Sequence, residues 1–277
     1  MRYLFLFFIQ LIAGALTAQN LKDNRINELS GLVVSSKSDD LLWVHNDSGD
    51  ESRIFLINKK GETLSTFNFN KKVIDCEDIA INTSKTGVQL YVGDIGDNAA
   101  KRPFVSVYKF QEPNLSLRGE KEFPIQRVEE LRFKYPDGAR DAECLMIDPI
   151  DQKIYIVSKR EDSVGLYSAP LSSKAGSIIT LKKETTLFFK APKGAKWITA
   201  GDISLDGKVV LIKSYIHIYY WDRRKGETLT QCLKRPYVGL PYKPEQQGEA
   251  VGLTHSGTQY YSIGEGKNTE VNFKTIK

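Results

Sequence analysis

Cysteine is scarce in this sequence, and so are histidine and methionine. The three cysteines, Cys76, Cys144 and Cys232, allow at most one intramolecular disulfide, which excludes a small fold held together by a cysteine framework. We expect Cys76 and Cys144 to be buried free thiols rather than a disulfide pair. The three histidines have no ligand-like spacing to one another or to cysteine, which disfavours a zinc site.

A block of basic residues is also missing. The chain holds 39 Lys and Arg against 34 Asp and Glu, a formal charge of +5 that is spread over its length. Because nucleic-acid binding needs a basic patch, this balance argues against a nucleic-acid partner. The sequence has no nucleophile elbow, HExxH motif, phosphate loop or dinucleotide fingerprint either, so those enzyme classes have no support.

The first 18 residues differ from the rest in composition. Met1-Arg2 precede the apolar run 3–18, which contains small residues near its end. We interpret residues 1–18 as a cleavable secretory signal. The alternative is a membrane anchor, but a spanning helix needs roughly 20 apolar residues. We therefore expect residues 19–277 to form one soluble, monomeric domain, exported to a periplasm or out of the cell.

Long amphipathic helices are absent, and short strands take their place. Apolar runs of strand length, rich in Val, Ile, Tyr and Phe, are separated by turn residues such as Lys60-Gly61 and Asp206-Gly207. The runs are 31–35, 41–45, 54–58, 89–92, 105–110, 154–157, 209–212 and 259–263. This pattern predicts an all-β fold.

One short motif recurs through these strands. ECLMI (143–147) aligns with ELSGL (28–32), EDIAI (77–81) and EAVGL (249–253), and TAGDI (199–203) is a divergent copy. Each copy begins a unit of four antiparallel strands. Five such units predict a β-propeller, because a single sheet cannot bury both faces but a closed ring of sheets can. Six blades are the alternative.

Two parts of the chain depart from the repeat. The last unit, 249–277, is one strand short, and residues 21–26 could complete it and tie the two termini together. The segment 111–133, after the third strand of blade two, is longer than its counterparts. We interpret it as an outer hairpin or a surface arm.

A propeller would bring the polar residues of the repeat together. The first strand of each blade lines the central channel, so carboxylates at its start should converge. These are Glu28, Glu77, Glu143 and Glu249. The second strand ends on the same face because it runs antiparallel to the first. Its end contributes the acids Asp47, Asp94 and Glu265 and the basic residues Lys159, Arg160 and Lys213.

Converging carboxylates need a cation or bound protons, since like charges held close cannot all stay ionised. Calcium is the expected ion, because it takes about six to eight oxygen ligands and the loops 46–50 and 94–98 are rich in oxygen donors. The predicted ligands are Glu28, Glu77, Glu143, Glu249, Asp47 and Asp94. The alternative is that each Glu caps backbone amides and that Lys159, Arg160 and Lys213 form ion pairs with nearby acids.

Several longer motifs carry a family resemblance. They are YPDGARDAECLMIDPIDQKIYIVSKRED, ITAGDISLDGKVVLIKSY, GEAVGL and HNDSGD. They resemble a family of secreted bacterial β-propellers of uncharacterised function and, more distantly, the esterase-like phytase and SdiA-regulated propellers. The distant resemblance implies channel calcium and phosphate ester hydrolysis, with Glu77, Glu143 and Glu249 as the acids and Lys159 as the basic residue. Blade four departs from it with Thr199.

Two functions follow from these observations. The first is a non-catalytic exported propeller with structural calcium, which binds a small anionic ligand or a protein on its polar face. Its predicted ligand-binding residues are Arg140, Lys159, Arg160, Lys213 and Glu265. The alternative is a calcium-dependent phosphoesterase or esterase with Glu143 and Lys159 as catalytic candidates.

Overall fold

The computed structural model describes residues 19–85, 87–119 and 121–276. The predicted signal, 1–18, lies outside this part of the chain. The described residues form 22 strands and one short helix, and the strands assemble into five sheets. No helix among them is long and apolar enough to cross a membrane.

The chain begins with β1 (Gln19–Asn20) and then builds the first two blades. Blade one consists of β2 (Leu29–Val34), β3 (Leu41–Asn46), β4 (Arg53–Asn58) and β5 (Thr63–Asn68). Blade two consists of β6 (Cys76–Ser84), β7 (Gly87–Asp94), β8 (Val105–Gln111) and, after the short β9 (Glu122–Pro124), β10 (Glu129–Lys134). The four strands of each blade pair antiparallel in chain order.

The remaining blades repeat this plan. Blade three consists of β11 (Ala142–Asp148), β12 (Lys153–Ser158), β13 (Val164–Pro170) and, after the short β14 (Ile178–Thr180), β15 (Lys182–Leu187). Blade four consists of β16 (Ile198–Ile203), β17 (Val209–Ser214), β18 (Ile218–Asp222) and, after helix α1 (Leu229–Leu233), β19 (Val238–Gly239). Blade five consists of β20 (Gly248–Leu253), β21 (Gln259–Gly264), β22 (Glu270–Thr275) and β1. The five-bladed prediction is confirmed.

The N-terminal strand closes the ring, as expected, but over different residues. β1 pairs antiparallel with β22, with Gln19 opposite Val271, whereas the predicted closing strand was 21–26. Leu21 and Ile26 are buried instead in the core between blades five and one. A side chain at Gly61, whose φ is +73°, would collide with the backbone of Asn20, so glycine at this turn lets the closing strand approach.

The insertion 111–133 is neither a hairpin nor a free arm. Its β9 pairs parallel with β5 at the outer edge of blade one, and β10 then returns as the fourth strand of blade two. β14 makes a similar crossing, because it pairs parallel with β10 of blade two before the chain completes blade three. Both crossings cover outer strand edges that would otherwise be unpaired.

The core lies between the blades rather than at one centre. Five apolar clusters each join two neighbouring blades, so that every blade packs on both faces. The first strands β2, β6, β11, β16 and β20 contact one another in sequence and form a closed ring, called here the first-strand ring. All three cysteines are buried and free, as predicted for Cys76 and Cys144.

Candidate functional site

Each strand of the first-strand ring carries a β-bulge at the same place near its start. The register with the second strand skips one residue in every blade. The skipped residues are Ser30, Glu77, Glu143, Thr199 and Glu249. Because a bulge redirects a side chain and leaves its backbone out of the ladder, these five positions form an equivalent set. Three of the five are glutamate.

The bulges correct the sequence alignment in blade one. Ser30, not Glu28, is equivalent to Glu77 and Glu143, so the predicted ELSGL frame was displaced by two residues. Glu28 is instead equivalent to Asp75, because the backbone carbonyl of each accepts a hydrogen bond from the loop after the second strand. The Glu28 side chain is exposed.

Five acidic residues meet at the bulges of blades two and three, and we call them the carboxylate cluster. Oxygens of Asp47, Asp75 and Glu77 lie within 4.8 Å of one another, and so do oxygens of Glu77, Asp141 and Glu143. Glu77 belongs to both groups. Asp75, Glu77, Asp141 and Glu143 are all buried, with Glu77 only 3% exposed. These two groups could hold a metal ion.

Burial and mutual repulsion raise the pKa values of acids in the cluster. Burial, together with the charge of Asp47, raises the pKa of Asp75 to about 7. Burial and the neighbouring Glu143 raise the pKa of Glu77 well above its ordinary value. Like charges held in a poorly hydrated site disfavour ionisation, so the cluster holds protons near neutral pH unless a cation replaces them.

The loop 94–98 fits closely against the cluster. The amide of Asp97 donates to Asp141 at 2.9 Å, and the Asn98 side chain donates to Asp75 at 3.3 Å. A side chain at Gly96 would collide with the carboxylates of Glu77 and Asp75, so glycine there lets the loop lie directly against the two acids. The predicted oxygen-rich loop therefore contributes mainly by holding the acids in place.

Asp94 itself has a structural role at this loop. Its carboxylate accepts hydrogen bonds from the amides of Ile74 and Asp75 and pairs with Arg102 at 2.8 Å. It is not among the two carboxylate groups formed by the described residues. Asp75, which lies two residues before the bulge, takes the place among the clustered acids that was predicted for Asp94.

The basic residues predicted to bind a ligand are paired with acids. Lys159 contacts Glu143 and donates to the hydroxyl of Tyr215 at 3.1 Å. Arg160 pairs with Asp141, and its guanidinium lies 4.5 Å from the centre of the Trp197 ring. These contacts are the ion pairs that the alternative interpretation predicted.

Lys213 and Glu265 lie toward blades four and five. Lys213 is fully buried, 3.5 Å from Glu245, and burial lowers the pKa of its ammonium despite the charges of Glu245 and Glu249. Burial raises the pKa of Glu249 to about 7, against the opposing charges of Lys159 and Lys213. Glu265 is partly exposed and bonds Gln247.

Arg140 lies apart from these groups. It pairs with Asp137 at 2.8 Å and with Glu161 at 2.6 Å, and its guanidinium packs over the rings of Tyr135 and Tyr167. The structure therefore does not bring Arg140 to the carboxylate cluster.

The sequence interpretation missed Asp75 and Asp141, which supply two of the five clustered acids. A signal for them exists, since both blades that build the cluster read Asp-x-Glu, as DCE at 75–77 and DAE at 141–143. Tyr215 and Glu245 were also not identified as partners of Lys159 and Lys213.

Comparison with known proteins identifies no family for this chain. No family model matches the chain, and no curated protein matches it. A solved structure of a putative 6-phosphogluconolactonase from Bacteroides uniformis ATCC 8492 is similar, with a TM-score of 0.43 and 12% identity over 89% of this chain and 67% of that chain. At this identity the similarity carries no inference about function. The resemblance to phytase-like propellers has no support from these comparisons.

Proposed function

We propose that this protein is an exported propeller that binds a divalent cation, calcium, in its carboxylate cluster and presents a ligand-binding face around it. One observation carries the proposal: two groups of three carboxylates share Glu77 in a buried site. Asp47, Asp75 and Glu77 take part in no ion pair within residues 19–85, 87–119 and 121–276; the charges of Arg102 and Lys159 act on Asp75 and Glu77, but these two basic residues pair with Asp94 and Glu143 instead.

Calcium suits the donor set better than a transition metal does. Both groups consist only of Asp and Glu, and neither contains the nitrogen or sulfur ligands that zinc prefers. One oxygen of Glu143 is buried and lacks a hydrogen-bond partner among the described residues. A buried oxygen without a donor is costly, and a hard cation would satisfy it.

The proposed ligand face surrounds this site. Bound calcium would leave coordination positions for an anionic ligand or for an acidic side chain of a partner protein. Lys159 and Arg160 stand beside the cluster, where their main contacts are with Glu143 and Asp141. Their main role is therefore to pair with acids of the cluster, and they would contact a ligand only at the edge of the cluster.

The test is calcium binding by calorimetry on protein stripped with EDTA. We expect wild-type protein to bind calcium and its melting temperature to rise, because a ligand specific to the native state adds stability. Glu77→Gln, which removes the shared carboxylate, should lose both effects. Glu129→Gln, on an exposed outer strand, is the matched control and should behave as wild type. Absence of binding to folded wild-type protein would contradict the proposal.

The hydrolase alternative has one observation in its favour. Glu249, with a pKa raised to about 7, lies in the same network as Lys159 and Tyr215, and a group of that pKa is suited to proton transfer at neutral pH. A calcium-dependent phosphoesterase or esterase would use Glu143, Lys159 and Glu249 beside the ion. A screen of phosphate and carboxylate esters with calcium present tests it. Turnover that disappears in Glu249→Gln supports the enzyme, and no turnover favours the binding protein.

A further inference from the structure

Lys159 is buried against Glu143 of the first-strand ring, and the charge of a second ring glutamate, Glu249, also acts on its ammonium. It follows β12 in blade three and is 4% exposed. Its ammonium contacts Glu143 of its own blade and donates to the hydroxyl of Tyr215 in blade four. It also lies 5.2 Å from the centre of the Tyr215 ring. The ammonium is thus held by a carboxylate, a phenol and an aromatic face.

Its surroundings contain more acceptor oxygens than one ammonium satisfies. Oε2 of Glu143 and Oε2 of Glu249 are both buried and have no hydrogen-bond partner among the described residues. The two residues are only 4% and 7% exposed. Burial would lower the pKa of the Lys159 ammonium, but the charges of Glu143 and Glu249 outweigh it and raise that pKa above its ordinary value. Both glutamates therefore act on the same ammonium.

The two sides of the ring differ in how their negative charge is balanced. On the Glu77 side, Asp47, Asp75 and Glu77 have no ion-pair partner in the described ranges. On the Glu249 side, Lys159 pairs with Glu143, and the charges of Lys159 and of the buried Lys213 both act on Glu249. A divalent ion and an ammonium compete for the same oxygens, because each requires that nearby carboxylates be ionised.

We propose that Lys159 is a built-in counter-ion that fills a second cation position between Glu143 and Glu249 and so confines divalent cations to the Glu77 side. This inference rests on the proposed calcium site and adds the group that limits where calcium binds. Lys159 is then a positioning residue for the metal, and the latent position would take a hard divalent cation through Glu143, Glu249 and water.

The experiment counts calcium ions per chain by calorimetry in wild-type protein and in Lys159→Met. Removing the ammonium should raise the number by one. Lys159→Gln, which is neutral but polar, should give the same gain if the methionine variant does not fold. Lys159→Arg keeps the positive charge and should leave the number unchanged. Adding Glu249→Gln to Lys159→Met should return the count to that of wild type.

The control and the outcomes separate this inference from the proposed function. Lys196→Met removes another buried lysine, paired with Asp162, and should not change the count. An unchanged count in folded Lys159→Met and Lys159→Gln overturns the inference, while wild-type binding still supports the proposed calcium site. A calcium ion gained by Lys159→Met when wild-type protein binds none contradicts the proposed function and supports only the counter-ion role of Lys159, not its confinement of calcium to the Glu77 side.

Discussion

Glu77 and Asp78 are neighbours on the same strand, and both are buried, yet their carboxylates are satisfied in opposite ways. Asp78 accepts hydrogen bonds from the amides of Ile79 and Leu145 at 2.9 Å and of Gly201 at 3.4 Å, which ties together blades two, three and four. The hydrogen bonds of the described residues give the Glu77 carboxylate one donor, the hydroxyl of Ser30, at 3.2 Å.

The comparison extends to other blades. Asp202 in blade four accepts from the amides of Ile203 and Leu253 at 2.8 and 2.7 Å, much as Asp78 does. Glu143 and Glu249 also have fewer donors than Asp78, because each keeps a buried oxygen without a hydrogen-bond partner in the described part of the chain. Burial of a carboxylate therefore does not indicate a cation site by itself. The supply of protein donors distinguishes a structural acid from a candidate ligand.

The largest predicted effect concerns Asp78, the structural acid of this comparison. Asp78→Ala should lower the free energy of unfolding by about 4 kcal/mol, because three buried amides lose their acceptor at about 1–3 kcal/mol each. Urea denaturation measures this loss. Asp206→Ala, in an exposed turn, is the control and should cost much less. A loss under about 1 kcal/mol for Asp78→Ala would show that the inter-blade hydrogen bonds contribute little.

Calcium removal should have the next largest effect on the free energy of unfolding. This effect should depend on the carboxylate cluster and not on the structural acids. At a calcium concentration near 100 times Kd, saturation adds about 2.7 kcal/mol to the free energy of unfolding. Differential scanning calorimetry with calcium and with EDTA measures the difference. An Asp202→Asn variant should keep the full calcium increment, since Asp202 bonds only backbone amides. Equal melting curves with and without calcium would contradict the assignment.

The pH dependence sharpens the comparison for Asp202, whose pKa burial raises to about 7. Between about pH 4 and pH 7 the native state holds a proton that the unfolded state has released, so stability falls as pH rises through this window. One such group contributes a slope of at most about 1.4 kcal/mol per pH unit. Urea denaturation in EDTA should show this slope, and it should be smaller in Asp202→Asn. A stability that rises over the same window would be the wrong sign.

The smallest predicted effect concerns Glu77 without calcium. Because burial and Glu143 raise the pKa of Glu77 in the native state, this carboxyl makes the calcium-free protein less stable as the pH rises above the ordinary pKa of glutamate. Glu77→Gln in EDTA at pH 8 should therefore be more stable than wild type, by about 1 kcal/mol. Thermal denaturation checks this, with Glu129→Gln as the unchanged control. Destabilisation instead would mean that the Glu77 carboxylate is a structural group like Asp78.

Much of the fold could be predicted from the sequence, because the blade repeat is recognisable from the lengths of its strands and the positions of its turns. The closing strand was misplaced by two residues, since the two residues that pair, Gln19 and Asn20, have no strand-like pattern. The parallel crossing of β9 to blade one could not be foreseen, because an outer edge accepts any short extended segment.

The candidate site was predictable only in part. The repeat placed Glu77, Glu143 and Glu249 at the bulges correctly, but it placed Glu28 there wrongly. The sequence of a single strand does not show which of its residues forms the bulge. The pairing of Lys159 with Glu143 and of Arg160 with Asp141 depends on how long side chains reach between loops. Such contacts leave no pattern in a single sequence.

The most direct test of the central claim is a crystal structure of the protein soaked in calcium, with anomalous data to identify the ion. The account predicts a calcium ion bound by Glu77 together with acids of its two groups, at oxygen distances of about 2.3–2.6 Å. Carboxylates of the cluster hydrogen-bonded to one another, with no calcium among them at saturating concentration, would contradict it.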